Sequence, residues 1–422
     1  MAAEKDNTTT TTAHPKGART ALLGAMFLMA TSAIGPGFIT QTSQFTMQLG
    51  AAFAFAILVS LIVDFAVQMN VWRVLGISGR RANALANDVR PGLGWVLAAL
   101  VVFGGLVFNI GNIAGTGMGM QYMTSLVDFI PSEGTAYGLD PRIGAVISVA
   151  VAMVVFLVKR AGAALDRLVV VLGALMILLM LWVAFTTNPP VGEALRQSVF
   201  PETTEWVVVT TLIGGTVGGY ITYAGAHRLV DAGQTGPEHA GTITRSSMTG
   251  IIVTGVMRVL LFLAILGTVM AGAELSEKNA AADAFGFALG DLGVTVFGII
   301  LWAAAITSVV GASYTSISFI TSSETPDRTR NLMTVGFAAI CLLLYLVLGK
   351  APATLLVFAG ALNGLILPLG FTIILWVAWR RRDLLKGYVY PKWLLISGLL
   401  AWVLTLWLGY QSLGGLAELW NG

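Results

Sequence analysis

Apolar stretches long enough to cross a bilayer recur along this chain from residue 20 to residue 413, and their recurrence constrains the fold more than any motif does. A membrane-spanning helix needs about 20 predominantly apolar residues. Stretches of that kind fall at 20–48, 51–73, 93–124, 140–158, 165–186, 205–232, 248–271, 292–320, 331–349, 352–379 and 393–413. The expectation is an all-α polytopic membrane protein with eleven transmembrane helices seated in the lipid bilayer. Composition points the same way, because only 11% of the residues are charged where soluble domains carry about 25%.

The first 19 residues are polar and Thr-rich, with Lys5, Lys16 and Arg19 ahead of the first apolar run. A cleaved secretory signal has its apolar stretch earlier and a small-residue cleavage site after it, so residues 1–19 are expected to form a disordered cytoplasmic tail. With that end inside, the inner loops collect Arg73, Arg80, Arg81, Arg90, Lys159, Arg160, Arg167, Arg228, Arg245, Arg328, Arg330, Arg380, Arg381, Arg382, Lys386 and Lys392. The outer loops hold only Arg142, Arg196, Lys278 and Lys350 among bases, with the acids Asp128, Glu133, Glu193, Glu202, Glu205, Glu274, Glu277 and Asp283. This follows the positive-inside rule and predicts a bacterial inner-membrane protein with its C-terminus outside the cytoplasm. The net charge of +3 then reports topology, and no nucleic-acid partner is expected. The single cysteine, Cys341, lies in an apolar run and reads as a core thiol. No P-loop, His cluster or Ser/His/Asp arrangement is present, so neither an enzyme nor a resident cofactor or metal is expected.

Two of the spans are interrupted. The first reads Ala33-Ile34-Gly35-Pro36-Gly37-Phe38-Ile39-Thr40 and the sixth Gly215-Thr216-Val217-Gly218-Gly219-Tyr220-Ile221-Thr222, so that Gly37 to Thr40 aligns with Gly219 to Thr222. Spans one and six are an odd number apart, which gives the two halves opposite topology. The expected organisation is a first inverted repeat over 20–186, a second over 205–379, and an extra helix over 393–413. Breaking a helix in hydrocarbon frees N–H and C=O groups that lipid cannot satisfy, so breaks are tolerated where they are buried in protein or line a cavity. Paired breaks in corresponding positions of two halves point to a transporter's binding site at the membrane midplane.

With these residues the chain resembles the Nramp family of divalent-metal transporters, built on the LeuT-type fold of two inverted five-helix repeats. The resemblance covers spans one to ten and implies a secondary transporter working by alternating access. In that family the first break reads Asp-Pro-Gly-Asn and the sixth Met-Pro-His-Asn, with the Asp, Asn and Met binding the metal. Here the Asp position is Gly35, the Asn position Phe38 and the Met position Gly218, while the family's His and second Asn fall at Tyr220 and Ile221. An Asp and a Glu of the family's third span, which help move protons, fall at Asn109 and Asn112. The chain therefore resembles a branch that keeps Gly-Pro-Gly-Phe in the first span.

A divalent ion needs anionic or soft ligands to replace its hydration shell, and these positions supply none. What remains are two half-helix N-termini, near Phe38 to Thr40 and Tyr220 to Thr222, which favour an anion or a polar solute with a carboxylate-like end. Candidate binding residues are Gly35, Gly37, Phe38, Thr40, Gln41, Asn109, Asn112, Thr216, Gly218, Gly219, Tyr220, Thr222, Tyr223, Ser313 and Asn363, with Thr42, Thr307, Ser308, Tyr314 and Thr315 adding polarity nearby. The favoured solute is bicarbonate or a small carboxylate such as 5-oxoproline. The alternative is a manganese or magnesium transporter with an altered site. Two ionisable residues sit deep in repeat-equivalent spans, Asp64 in the second and Arg258 in the seventh, and are expected to pair, either structurally or for coupling. His227, Arg228 and Asp231 end the sixth span and read as a solvated helix terminus, with an inner-gate or anion-attracting role as the alternative.

Overall fold

The computed structural model describes residues 15–125, 138–276, 280–322, 324–348 and 352–421. The helices in chain order are α1 (Pro15–Ala33), α2 (Pro36–Leu49), α3 (Phe53–Ser78), α4 (Ala82–Val89), α5 (Leu93–Met123), α6 (Pro141–Leu157), α7 (Lys159–Thr187), α8 (Val191–Val199), α9 (Trp206–Val217), α10 (Ile221–Asp231), α11 (Ala240–Met270), α12 (Ala280–Ile320), α13 (Asp327–Leu348), α14 (Pro352–Arg380) and α15 (Lys392–Asn421). The expected all-helical architecture is therefore present.

Local chemistry sets the boundaries. Pro36 opens α2 at its first helical position, where proline's fixed φ suits a helix and its missing N–H has no partner to lose. Gly79 ends α3 in the left-handed region at φ 70°. Asp140 caps α6 by accepting from the Arg142 backbone N–H at 2.7 Å, followed by Pro141 at the first position. Gly290, at φ 63°, kinks α12, so that the expected span over 292–320 starts just after the kink.

Eight helical segments among the described residues are long and apolar enough to cross a membrane, fewer than the eleven expected. The shortfall lies in three places: the apolar parts of α1 (Leu22–Ala33) and α6 are short, and α7 is bent by 107° against α8. The surface helix α8 follows Asn188-Pro189-Pro190 and was not foreseen. The first helix begins at Pro15, inside the expected tail, while residues 1–14 lie outside the described residues. The charges Lys5, Asp128, Glu133, Glu277, Lys278 and Lys350 also lie outside them. Cys341 is buried in a hydrophobic cluster with Ile110, Val149 and Phe337.

Packing brings the two broken spans together. The half-helix α1 lies against α10, and α2 lies against α9, so each half of one broken span meets the opposite half of the other. Equally, α3 packs on α9 and α10, while α11 packs on α1 and α2. The long helices α5 and α12 pack on one another, and both also touch α2. The four helices α3, α5, α11 and α12 thus pack around the two broken spans.

Candidate functional site

The two breaks are built differently. Gly35 stays extended (φ −103°, ψ −172°) and Pro36 restarts the helix at once, which places Gly37 to Thr40 inside the first turns of α2. The second break is longer: α9 ends at Val217, and Gly218, Gly219 and Tyr220 intervene before α10. Gly219 sits at φ 51°, a left-handed conformation that side chains disfavour, and a Cβ there would fall 1.6 Å from Asn363 Oδ1. The matched tetrapeptides thus adopt different conformations, and the first half-helix N-terminus lies at Pro36, ahead of the expected Phe38 to Thr40.

On the α5 side of the breaks stands a group of neutral polar side chains. A Cβ on Gly35 would lie 2.5 Å from Ser308 Oγ and 3.5 Å from Asn112 Oδ1, so α5 and α12 both crowd the first break. Tyr220 packs its ring on Phe108 at 5.7 Å, and its hydroxyl is directed at the Asn112 amide without closing a bond of good geometry. Asn109 donates to Ser313 Oγ at 3.1 Å. Asn363 donates to the Gly104 carbonyl at 3.2 Å, Gln41 to the Leu356 carbonyl at 3.1 Å, and Ser308 to the Thr31 carbonyl at 2.9 Å. These bonds fix the side chains and leave much of their capacity unused. Asn112 Nδ2 and Oδ1, Asn109 Oδ1, Tyr220 Oη, Thr222 Oγ1, Gln41 Oε1 and Asn363 Oδ1 are buried and have no hydrogen-bond partner among the described residues. Native proteins leave few buried polar atoms unpaired, and several such atoms gather at the breaks.

On the other side, between α2, α3, α9 and α11, lie the two deep charges, Asp64 at 2% exposure and Arg258 at 1%. The expected ion pair does not form: no N···O contact within 4.0 Å joins them, although each feels the other's field. Equal depth in the sequence does not fix the direction in which each side chain leaves its helix. Asp64 Oδ1 instead accepts from Thr216 Oγ1 at 2.9 Å, two residues before the second break. The Arg258 guanidinium lies 4.5 Å above the Phe38 ring centroid, in the first turn after the first break. All three of its nitrogens lack a hydrogen-bond partner.

At the basic end the geometry is the reverse. Arg81 donates to Asp231 at 2.8 and 2.9 Å and to the carbonyls of Ser318 and Thr321 at 3.2 and 3.0 Å. Tyr314 donates to the same carboxylate at 2.5 Å. His227 is fully buried, with Nε2 accepting from the Ala82 N–H at 3.0 Å and Nδ1 2.8 Å from Ser318 Oγ. Of the expected solvated terminus, Asp231 is exposed and Arg228 half-buried, whereas His227 is buried where α4, α10 and α12 meet beneath a surface cavity of about 860 Å³.

Several expected site residues lie elsewhere. Thr40 lines a small pocket with Ser43, Met118 and Tyr122, because two residues along a helix turn it about 200° from Phe38. Tyr223 packs on Phe319 at 5.1 Å, toward the basic end. Thr42 and Thr307 bond back to carbonyls of their own helices. Thr315 Oγ1 is buried and unpartnered. Conversely, Phe108, Arg81 and Gln68 were missed. Gln68 follows Asp64 by one helical turn and is buried with both amide atoms unpartnered; a polar i, i+4 pair in an apolar helix is its sequence signal.

A family model described as natural resistance-associated macrophage protein-like (Nramp) matches residues 26–414. The chain belongs to the Nramp family. As a member of it the protein is a membrane transporter rather than an enzyme. A relative from Bacillus subtilis (strain 168), described as the uncharacterized membrane protein YcsG, is 46% identical over 407 residues, covering 96% of this chain and 97% of the relative. Among solved structures, the Eremococcus coleocola manganese transporter in complex with an aromatic bis-isothiourea substituted compound superposes with a TM-score of 0.70 at 18% identity, covering 94% of this chain and 86% of that one. MhsT in complex with L-phenylalanine gives a TM-score of 0.66 at 17% identity, covering 92% and 98%. At such identities the likeness carries the LeuT-type fold of this Nramp chain and no more.

Proposed function

We propose that this Nramp-family protein moves a small anionic or polar solute across a bacterial inner membrane by alternating access at its two broken helices. The N-terminus is then cytoplasmic, and the repeats run over 20–186 and 205–379. The observation that carries the substrate class is the set of buried, neutral, unpartnered donors at the breaks, Asn112 Nδ2, Tyr220 Oη and Thr222 Oγ1, while the amides of Asn109 and Asn363 spend their N–H groups on Ser313 and on the Gly104 carbonyl. Neutral donors and half-helix N-termini suit an oxyanion such as bicarbonate or a small carboxylate such as 5-oxoproline. Two of the family's metal-ligand positions are closed by packing as well as by chemistry. A Cβ on Gly35 meets Ser308 Oγ at 2.5 Å, and one on Gly218 meets the Gly214 and Asn363 carbonyl oxygens at 2.5 and 2.8 Å.

A second reading, a divalent cation such as manganese or magnesium, has the comparisons on its side. Family membership and the manganese transporter among the structural neighbours favour it over the anion. Site chemistry and kinship thus pull apart, and transport decides between them. Purified protein in liposomes loaded with a pH dye and a metal dye would be given bicarbonate, 5-oxoproline, manganese and magnesium in turn. A protein-dependent pH change with either anion and a silent metal dye is the expected result. A clear manganese or magnesium signal without an anion response would overturn the anion reading and leave the cation in its place.

A further inference from the structure

We propose that Arg258 is the fixed positive charge that receives the anionic end of the solute, with Asp64, on α3 and bonded to Thr216 of the second broken span, as its counter-charge; this rests on the anionic reading above. A guanidinium carries five N–H donors in a planar fork matched to a pair of oxygens. At 1% exposure that of Arg258 uses none of them on the described residues, although the Phe38 ring covers one face. A charge at this depth is costly unless it is paired. Asp64 supplies the compensating field, yet it is held by Thr216 at 2.9 Å and stays beyond 4.0 Å of the guanidinium nitrogens. A merely structural ion pair would close that gap. Holding it open leaves the fork available to a carboxylate or bicarbonate while the neighbourhood remains neutral overall.

The placement also follows the symmetry of the halves. Asp64, on α3, bonds just before the second break, and Arg258, on α11, stacks just after the first. Each deep charge therefore belongs to one repeat and touches the broken helix of the other, so an anion drawn to Arg258 acts on both breaks at once. Phe38, under the guanidinium, stands where the resemblance puts a metal-binding Asn, and a fixed cation at that place opposes a divalent ion.

The test is titration calorimetry on the full-length detergent-purified protein in bicarbonate-free buffer, with 5-oxoproline and then bicarbonate as titrants. Removing Arg258 alone strands Asp64 and endangers folding, so the informative variant is the charge-neutral double Asp64→Asn/Arg258→Gln, with Arg258→Lys beside it. Wild type binds both anions, the double variant binds them at least about tenfold more weakly, and Arg258→Lys falls between, keeping the charge and losing the fork. If the double variant elutes as folded protein and binds with wild-type affinity, Arg258 is structural and the proposal is wrong while the anionic reading stands. If wild type binds neither anion, the anionic reading itself fails and takes the proposal with it.

Discussion

At the basic end, Arg81 commits its guanidinium to Asp231 and two backbone carbonyls; at the centre, Arg258 is also buried and has no hydrogen-bond partner among the described residues. The same contrast runs through their neighbours. His227 and Tyr314 are bonded at the basic end, whereas Asn112, Tyr220 and Thr222 are not at the centre. Satisfied groups rivet helices together, and the junction of α4, α10 and α12 is held this way. Unsatisfied buried groups cost free energy, about 1–3 kcal/mol each, and on the proposed reading those gathered at the two helix breaks are met by the solute. Alternating access requires both kinds of region: a centre that binds and an end that can be unlocked.

The comparison can be broken hardest at Gly219. Gly219→Ala puts a Cβ 1.6 Å from Asn363 Oδ1 at φ 51°, a clash and a strained backbone together, and should cost more than about 3 kcal/mol. Loss of the monodisperse peak in size-exclusion chromatography, or of all uptake, is expected. Gly37→Ala is the control for fold alone, since its Cβ meets Phe108 at an ordinary 3.5 Å inside a helix; a normal melting curve is expected. If both variants fold equally well, the conformational difference between the breaks is wrong.

Next in size is Gly35→Asp, which restores the carboxylate of the family's metal site. With Ser308 Oγ 2.5 Å from the new Cβ, the carboxyl disturbs the first break without building a metal site. Anion uptake should fall at least about tenfold, with no manganese uptake gained. Appearance of robust manganese transport from this single change would show that the centre is a metal site lacking one ligand.

Unlocking the basic end should have a smaller and different effect. Arg81→Gln removes a bidentate, partly buried contact worth about 1.5–3 kcal/mol, so amide hydrogen exchange in α4 and α10 should quicken roughly 10- to 100-fold. Binding at the centre should remain. Unchanged exchange would mean that the junction does not hold this end closed. Smallest of all is Asn83→Ala, which deletes one bond to the Phe319 carbonyl at 2.7 Å. A cost near 1 kcal/mol and a slight fall in melting temperature are expected.

The architecture was legible because it is written in residues that tolerate few alternatives: apolar runs of bilayer length, and Gly-Pro or Gly-Gly inside two of them. Asn109 and Asn112 came from alignment with the resembling family; Asn112 lies beside Gly35 at the first break, and Asn109 bonds to Ser313 of α12. Direction was not legible. Depth placed Asp64 and Arg258 at one level, but their helix azimuths send one to Thr216 and the other over Phe38. The same gap misassigned Thr40 and Tyr223, which lie one or two residues from true neighbours of the breaks on the wrong face of their helices. Arg81 was hidden for another reason. A basic residue in an inner loop satisfies the topology rule, and nothing in sequence separates it from a bidentate partner of Asp231. The identity of the solute is also beyond the motif, because the residues that would bind it are neutral and shared by many polar ligands.

The central claim, that the breaks enclose a site for an anion, is tested most directly by a structure of the full-length protein determined with saturating 5-oxoproline, beside one determined with saturating manganese. The account predicts 5-oxoproline density at the breaks, its carboxylate on the Arg258 guanidinium and its polar remainder toward Asn112 and Tyr220, with no manganese there. Manganese bound between the breaks, or 5-oxoproline found only on the surface, would contradict it.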